Sequence, residues 1–232
     1  MMEVRKANQR GHVNMGWLDS HHTFSFGQYY DPKFMGYRSL RVINDDWVRG
    51  GAGFPSHPHR DMEILTYVYA GALEHKDSMG NGSVIRPGDV QRMSAGTGVV
   101  HSEYNQSADE PVRFLQIWIV PDQVGTQPGY EQKAFPEAER QEQLRLVASP
   151  TGEQGSLQVG QDVRLYASLL SADREVRYDL APGRGLWLQV VSGEMQVADA
   201  VLGAGDGAAV EGESEVRVRA RDDAQFLLFD LN

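Results

Sequence analysis

The sequence predicts an all-β protein of sandwich or barrel type, and three observations carry that expectation. Short β-branched and aromatic runs recur along both halves of the 232 residues. Glycine, proline and aspartate turn signals separate them roughly every ten residues, the rhythm of many short antiparallel strands. A single stretch, residues 136–144, reads as helix: it opens on Pro136 and continues Glu-Ala-Glu-Arg-Gln-Glu-Gln.

Residues 38–48 alternate around Leu40, Val42 and Ile43, as a strand with one buried face would. Residues 64–69 are β-branched and aromatic and end in a tight turn at Ala70-Gly71. Residues 114–120 are apolar at nearly every position, which fits a strand covered on both faces. Residues 186–191, 195–202, 215–221 and 226–230 complete the pattern in the second half. Val216-Arg-Val-Arg-Ala-Arg221 alternates strictly, so its arginines form the wet face of a strand rather than a nucleic-acid patch.

The two halves share a faint repeat. The strand leading into Gly71 resembles the one leading into Gly193, and Pro87-Gly-Asp89 resembles Ala204-Gly-Asp206. Their chemistry differs. All seven histidines precede residue 102, and residues 131–232 hold 18 acids against 10 Lys+Arg. The seam is expected in the Pro/Gly-rich stretch 121–129, giving domains over 1–128 and 129–232.

The net charge of −10 argues against binding a polyanion such as nucleic acid. No apolar run approaches the ~20 residues of a membrane helix. Residues 1–6 show no secretory leader, so a cytoplasmic protein is expected. The chain has no cysteine, which removes disulfides, thiolate metal sites and a Cys nucleophile.

Chemistry concentrates in two stretches. In Gly51-Ala-Gly-Phe-Pro-Ser-His57-Pro-His59-Arg-Asp-Met-Glu63, the histidines stand two apart and would share a strand face. In Gly96-Thr-Gly98-Val-Val-His101-Ser-Glu103-Tyr-Asn105, His101 and Glu103 repeat that spacing. Two such pairs on facing strands would offer three neutral nitrogens and a carboxylate to one divalent transition metal, with positions left open for oxygen or Lewis-acid chemistry. Glu63 also lies an even number of residues from His59, so parity alone leaves the carboxylate open.

The spacing Gly-x5-His-x-His-x3-Glu followed by Gly-x2-His-x3-Asn resembles the paired motifs of the cupin superfamily. The surrounding segments resemble the pirin family specifically: His22-Thr-Phe-Ser-Phe26, Tyr29-Tyr-Asp-Pro32, Arg41-Val-Ile-Asn-Asp-Asp46, His57-Pro-His-Arg-Asp-Met-Glu-Ile64, His75-Lys-Asp-Ser-Met-Gly80, Met93-Ser-Ala-Gly-Thr-Gly98 and His101-Ser-Glu-Tyr-Asn105. The resemblance implies a bicupin, two β-barrel domains in one chain with metal in the first only. It implies His57, His59, His101 and Glu103 as ligands, with Glu103 rather than Glu63 as the carboxylate and Glu63 a supporting acid. Two departures from the general cupin pattern stand out: the segment from Glu63 to Gly71 is one residue longer, and Gly96 occupies a usual proline position.

The resemblance further implies quercetin 2,3-dioxygenase activity, in which a flavonol is opened by O2 and carbon monoxide is released. Glu103 would be the catalytic proton acceptor. The metal would be Fe(II) foremost, with Mn, Co, Ni, Cu or Zn as alternatives. The rival reading is a redox-sensing regulator that uses the same metal and binds a protein partner, flavonol cleavage being a side activity. Neither reading involves a membrane or direct nucleic-acid contact.

The remaining candidates carry structural expectations. His75 belongs to a polar hairpin, at the surface or beside the metal ligands. His21 and His22 are expected to pack or cap, and His12 to be exposed. Asn44-Asp-Asp46 reads as a turn at a strand end. Gln116 and Trp118 share one face of their strand, its direction unassigned, and Phe24, Phe26, Phe54, Met62 and Met93 are candidates to hold a flat ring or fill the core.

Overall fold

The computed structural model describes residues 1–232. It resolves into 22 strands, two 3-10 turns and a single α-helical turn, Glu137–Arg140. That turn is shorter than the stretch expected from sequence. The chain becomes extended at Gln141, and Glu142 takes a positive φ of 57°, which ends the helix.

The chain divides into two compact units. The first comprises residues 11–134 and 157–161. Its strands are β2 (Gly11–Asn14), β3 (Leu18–His22), β4 (Leu40–Val48), β5 (Gly53–His59), β6 (Glu63–Ala70), β7 (Leu73–Asp77), β8 (Gly82–Ile85), β9 (Asp89–Ser94), β10 (Val99–Asn105), β11 (Val112–Ile119), β12 (Gly129–Ala134) and the short β14 (Leu157–Gln158); β1 (Met2–Arg5) precedes them in the chain. One sheet runs β12-β9-β6-β11-β4-β3-β2 and the other β5-β10-β7-β8. Leu18, Val48, Val68, Leu73, Ile85, Val112 and Phe114 pack between the two sheets with Trp17 and Phe54 against them. This apolar cluster packs beside the polar residues of the first unit's cavity, whose lining Leu18, Phe54 and Phe114 share with Asn44, Asp46 and Gln116.

The second unit comprises residues 1–10, 135–156 and 162–232. It contains β1, β13 (Arg145–Ser149), β15 (Val163–Leu170), β16 (Glu175–Asp179), β17 (Gly185–Ser192), β18 (Glu194–Val197), β19 (Ala200–Gly203), β20 (Gly207–Glu211), β21 (Glu215–Ala220) and β22 (Ala224–Leu231). Strands β20-β17-β22-β15 repeat the order of β9-β6-β11-β4, and β16-β21-β18-β19 repeats β5-β10-β7-β8. Gly71 and Gly193 close equivalent turns with φ of 75° and 76°, a left-handed conformation that side chains disfavour. The faint sequence repeat is therefore a repeat of topology. The second unit has an apolar core cluster with Leu186, Leu188, Val190, Met195, Leu202, Phe226 and Leu228 among its members.

The partition differs from a single cut between residues 128 and 129. The N-terminal strand β1 extends the edge of β20, with Met2 opposite Val210, and Asp206 anchors it through Lys6 Nζ at 2.8 Å. At the seam, β12 stays with the first unit because Tyr130 pairs with Met93. Residues 195–202, read as one strand, form a hairpin that turns at Ala198 (φ 49°). No helix is long and apolar enough to cross a membrane.

Candidate metal centre

The site is built on β5 and β10. Strand β5 carries Pro55 and Pro58 and lies at a sheet edge, where a missing backbone donor is tolerated. His57 pairs directly with His101 and Val99 with His59. Beyond that, Glu103 pairs with Phe54, so β5 spends one extra residue against β10. This bulge bends the strand and re-aims its side chains. The three imidazoles meet as a triangle, with ring centroids 4.4 Å apart for His57–His101 and 4.8 Å for both other pairs. One nitrogen from each lies within 4.8 Å of the others.

The hydrogen bonds assign the tautomers. His57 Nδ1 donates to Pro55 O at 2.8 Å, which leaves its Nε2 with a lone pair. His101 Nδ1 lies 3.4 Å from His75 Nδ1, which also accepts from Gln91 Nε2 at 3.1 Å. His75 Nε2 donates to Asp77 Oδ2 at 3.2 Å, so the shared proton belongs to His101 Nδ1. Nε2 of His59 and of His101 are buried without a hydrogen-bond partner. Burial, then the neighbouring His57, holds His59 down to about 4. Burial, then His57 and His59, holds His101 down to about 2. Three clustered imidazoles, two of them with an orphaned buried nitrogen, offer the donors that a borderline divalent ion requires.

Glu103 shares the inner face of β10 with His101 and is 3% exposed. Thr66 Oγ1 at 3.5 Å and Gln116 Nε2 at 3.4 Å hold its two oxygens only loosely. Burial, then the Asp46 carboxylate, pushes its carboxyl up to about 8 despite those contacts. Asp46 itself is pushed up to about 7 by burial, with Ser20 opposing and Asp45 reinforcing the shift.

His57, His59 and Glu103 open onto a cavity of about 430 Å3. Phe26, Phe54, Phe114 and Trp118 line its apolar part, and Ser20, His22, Asn44, Asp46 and Gln116 its polar part. Trp118 stands edge-on to His59 at 5.0 Å and to Phe26 at 5.2 Å.

Several residues lie where sequence reasoning did not place them. Asn44 and Asp46 are buried in the middle of β4 and face the cavity, because the strand runs on to Val48 instead of turning. His22 faces the cavity and packs edge-on against Phe26 at 5.3 Å, while His21 lies on the opposite strand face. His75 is fully buried: it pairs with Glu103 across β7–β10 and stacks on Tyr130 at 4.9 Å. Glu63 joins none of the three clusters of potential ligands that contain histidine, whereas Glu103 groups with His75 and His101; Glu63 accepts from Ser94 Oγ at 2.8 Å. Gln116 and Trp118 both face inward, and Phe24 and Met93 belong to the core.

Residues 3–119 match the family model for pirin, and residues 146–231 that for the quercetinase C-terminal cupin domain. The chain belongs to the pirin family. A quercetin 2,3-dioxygenase of Escherichia coli K12 is 49% identical over 231 residues, covering 100% of this chain and 99% of the relative. A pirin-like protein of Caulobacter vibrioides is 38% identical, over 99% of each chain. Among solved structures, the bacterial pirin YhhW of Escherichia coli in complex with nickel(II) superposes with a TM-score of 0.95 at 48% identity, covering 100% of this chain and 99% of that one. The two-barrel pirin architecture is thus shared along the whole chain, and the imidazole triangle lies within the segment matched as pirin.

Proposed function

We propose that this pirin is a metal-dependent dioxygenase that opens a flavonol such as quercetin with O2 and releases carbon monoxide. His57, His59, His101 and Glu103 are the residues that would hold the ion, Fe(II) foremost. The observation that carries the reading is the clustering of three imidazoles, two of which open with the buried carboxyl of Glu103 onto an aromatic-lined cavity, while the third, His101, also groups with Glu103. The dioxygenase name of the Escherichia coli relative, matched over nearly its whole length, supports the reading.

A divalent ion bound there supplies Lewis-acid stabilisation of an oxyanion and open positions for oxygen ligands. The remaining work belongs to the chain. Phe26, Phe54 and Trp118 offer faces and edges to a flat polycyclic substrate and exclude water around it. Glu103 takes the proton of the flavonol 3-hydroxyl. The carboxylate form that accepts this proton, opposed by burial in the metal-free protein, would be favoured by a bound ion. Gln116 and Thr66 keep that carboxyl aimed at the cavity. We place the activity in the cytoplasm.

The deciding experiment is oxygen uptake with quercetin by metal-stripped protein reloaded separately with Fe(II), Mn(II), Co(II) and Ni(II). Metal-dependent uptake matched by flavonol loss and carbon monoxide release is expected. No turnover in protein holding one ion per chain would overturn the reading.

A further inference from the structure

The β2–β3 hairpin presents two faces. Leu18, Ser20 and His22 of β3 and Val13 of β2 face the cavity. The alternate residues His12, Asp19 and His21 face outward, and they form a second group of potential ligands. His12 and His21 are directly opposite one another in the register, with rings stacked 4.4 Å apart at 12°. Asp19 Oδ1 lies 2.9 Å from His12 Nε2 and 3.6 Å from His21 Nδ1. Its other oxygen accepts from Asn14 Nδ2 at 2.9 Å, which fixes the carboxylate's orientation.

These separations fit a metal. Ligand atoms ~2.0–2.2 Å from a zinc ion stand about 3.0–3.5 Å apart, so the carboxylate is in place towards both imidazoles. The side chains of His12, Asp19 and His21 are 51%, 33% and 38% exposed, which leaves room for the rings to tilt and for water to complete the coordination. An ordinary cross-strand hydrogen bond between His12 and Asp19 needs neither His21 nor a second carboxylate partner, yet all three groups converge.

We propose that His12, Asp19 and His21 form a second metal site, taking one borderline divalent ion such as Zn(II) on the outer face of the hairpin. Two imidazoles and a carboxylate select late first-row ions over Mg(II) or Ca(II). Strand β2 is the last strand of its sheet, so the ion ties a free edge to β3 directly behind the cavity wall. This site is independent of the flavonol reading and of the three-histidine centre.

The test is Zn(II) stoichiometry by equilibrium dialysis on the full chain after chelator treatment. Wild type should take two ions per chain, and His12→Ala/His21→Ala one. In a His57→Ala/His59→Ala/His101→Ala background one ion should remain, and Zn(II) should slow backbone hydrogen exchange over residues 11–22. Asp19→Ala, which keeps both imidazoles, should weaken this binding about tenfold or more. No ion in the His57→Ala/His59→Ala/His101→Ala background, or an unchanged ion count in His12→Ala/His21→Ala relative to wild type, overturns the proposal.

Discussion

His101 Nδ1 and His75 Nδ1 lie 3.4 Å apart, and the proton between them belongs to His101. The arrangement continues through His75 Nε2 to Asp77, whose carboxylate also accepts from Asn81 Nδ2 at 2.9 Å. Those contacts hold Asp77 below the usual carboxylate range despite its burial. A neutral histidine thus separates the metal-facing imidazole from its carboxylate, and the pair sets both the tautomer and the ring angle of His101. Partners of this kind are typically worth 10–100-fold in metal affinity. Asp77→Asn and His75→Gln should each weaken Ni(II) by about that factor, read by competition against a chelator, with far-UV circular dichroism unchanged. Unaltered affinity in both variants would show that His101 is oriented by packing alone.

Glu103→Gln separates proton transfer from shape. The amide keeps the volume and the contacts to Thr66 and Gln116 but cannot accept the flavonol proton. Quercetin turnover should fall by about 10²–10⁴-fold, the usual size of a general-base contribution. Three imidazoles should still retain the ion, more weakly. Turnover within a few-fold of wild type at full metal occupancy would remove Glu103 from the proton's path.

Strand pairs are legible in the sequence because alternation reports which side chains share a face. His57 with His59, His101 with Glu103, and Gln116 with Trp118 all emerge that way. Alternation does not report which strands become neighbours, and the misplaced residues are those whose role depends on neighbours. Asn44 and Asp46 look like turn formers, yet β4 lies between β3 and β11, and Ser20 and Phe114 are the residues opposite Asp46. His75, in a polar hairpin, reads equally as exposed or as a neighbour of the ligands, and only the pairing of β7 with β10, which sets it against Glu103, decides for the second. The N-terminal strand carries no signal at all for its partner β20, some 200 residues away (Met2↔Val210).

The buried ionisable groups set the pH dependence of the metal-free protein. Burial holds His59 and His101 down to about 4 and about 2 in the folded state, against 6.5 when unfolded, so they cost stability mainly below pH 6.5 and fade over the unit above it. Asp46 and Glu103 titrate at about 7 and about 8 when folded, against 3.8 and 4.5 when unfolded. The folded state therefore binds more carboxyl protons, and stability falls as pH rises through that range. Between pH 6.5 and 8 the carboxyls outweigh the opposing histidines, which are half protonated at pH 6.5 when unfolded, and the metal-free protein should lose on the order of 1–2 kcal/mol. A bound divalent ion favours the carboxylates and should abolish the decline. Urea unfolding of chelator-treated and metal-reloaded protein at the two pH values checks this, and Glu103→Gln should remove part of the slope. A metal-free protein more stable at pH 8 than at 6.5 would contradict the protonated carboxyl pair.

Gly53 tests how the strand pair supports the centre. A Cβ there would lie 2.4 Å from the backbone oxygen of Glu103 and 2.5 Å from Tyr104 Cα, both parts of β10 backbone that cannot swing aside. Gly53→Ala must therefore push β5 away from β10 next to the bulge that aims His57 at His101. The cost should be about 1–3 kcal/mol in unfolding free energy, as for other overpacked sites. The distinguishing result is at the metal: affinity should fall although no ligand has changed, because His57 and His59 move with β5 while His101 stays on β10. Gly80 is the control. It sits in the β7–β8 turn with φ of 92° and open space around a Cβ, so Gly80→Ala adds only backbone strain. Comparable loss of stability in the two variants, with metal affinity reduced only in Gly53→Ala, is the expected outcome. Equal affinity in both would mean that the imidazole triangle tolerates displacement of its edge strand.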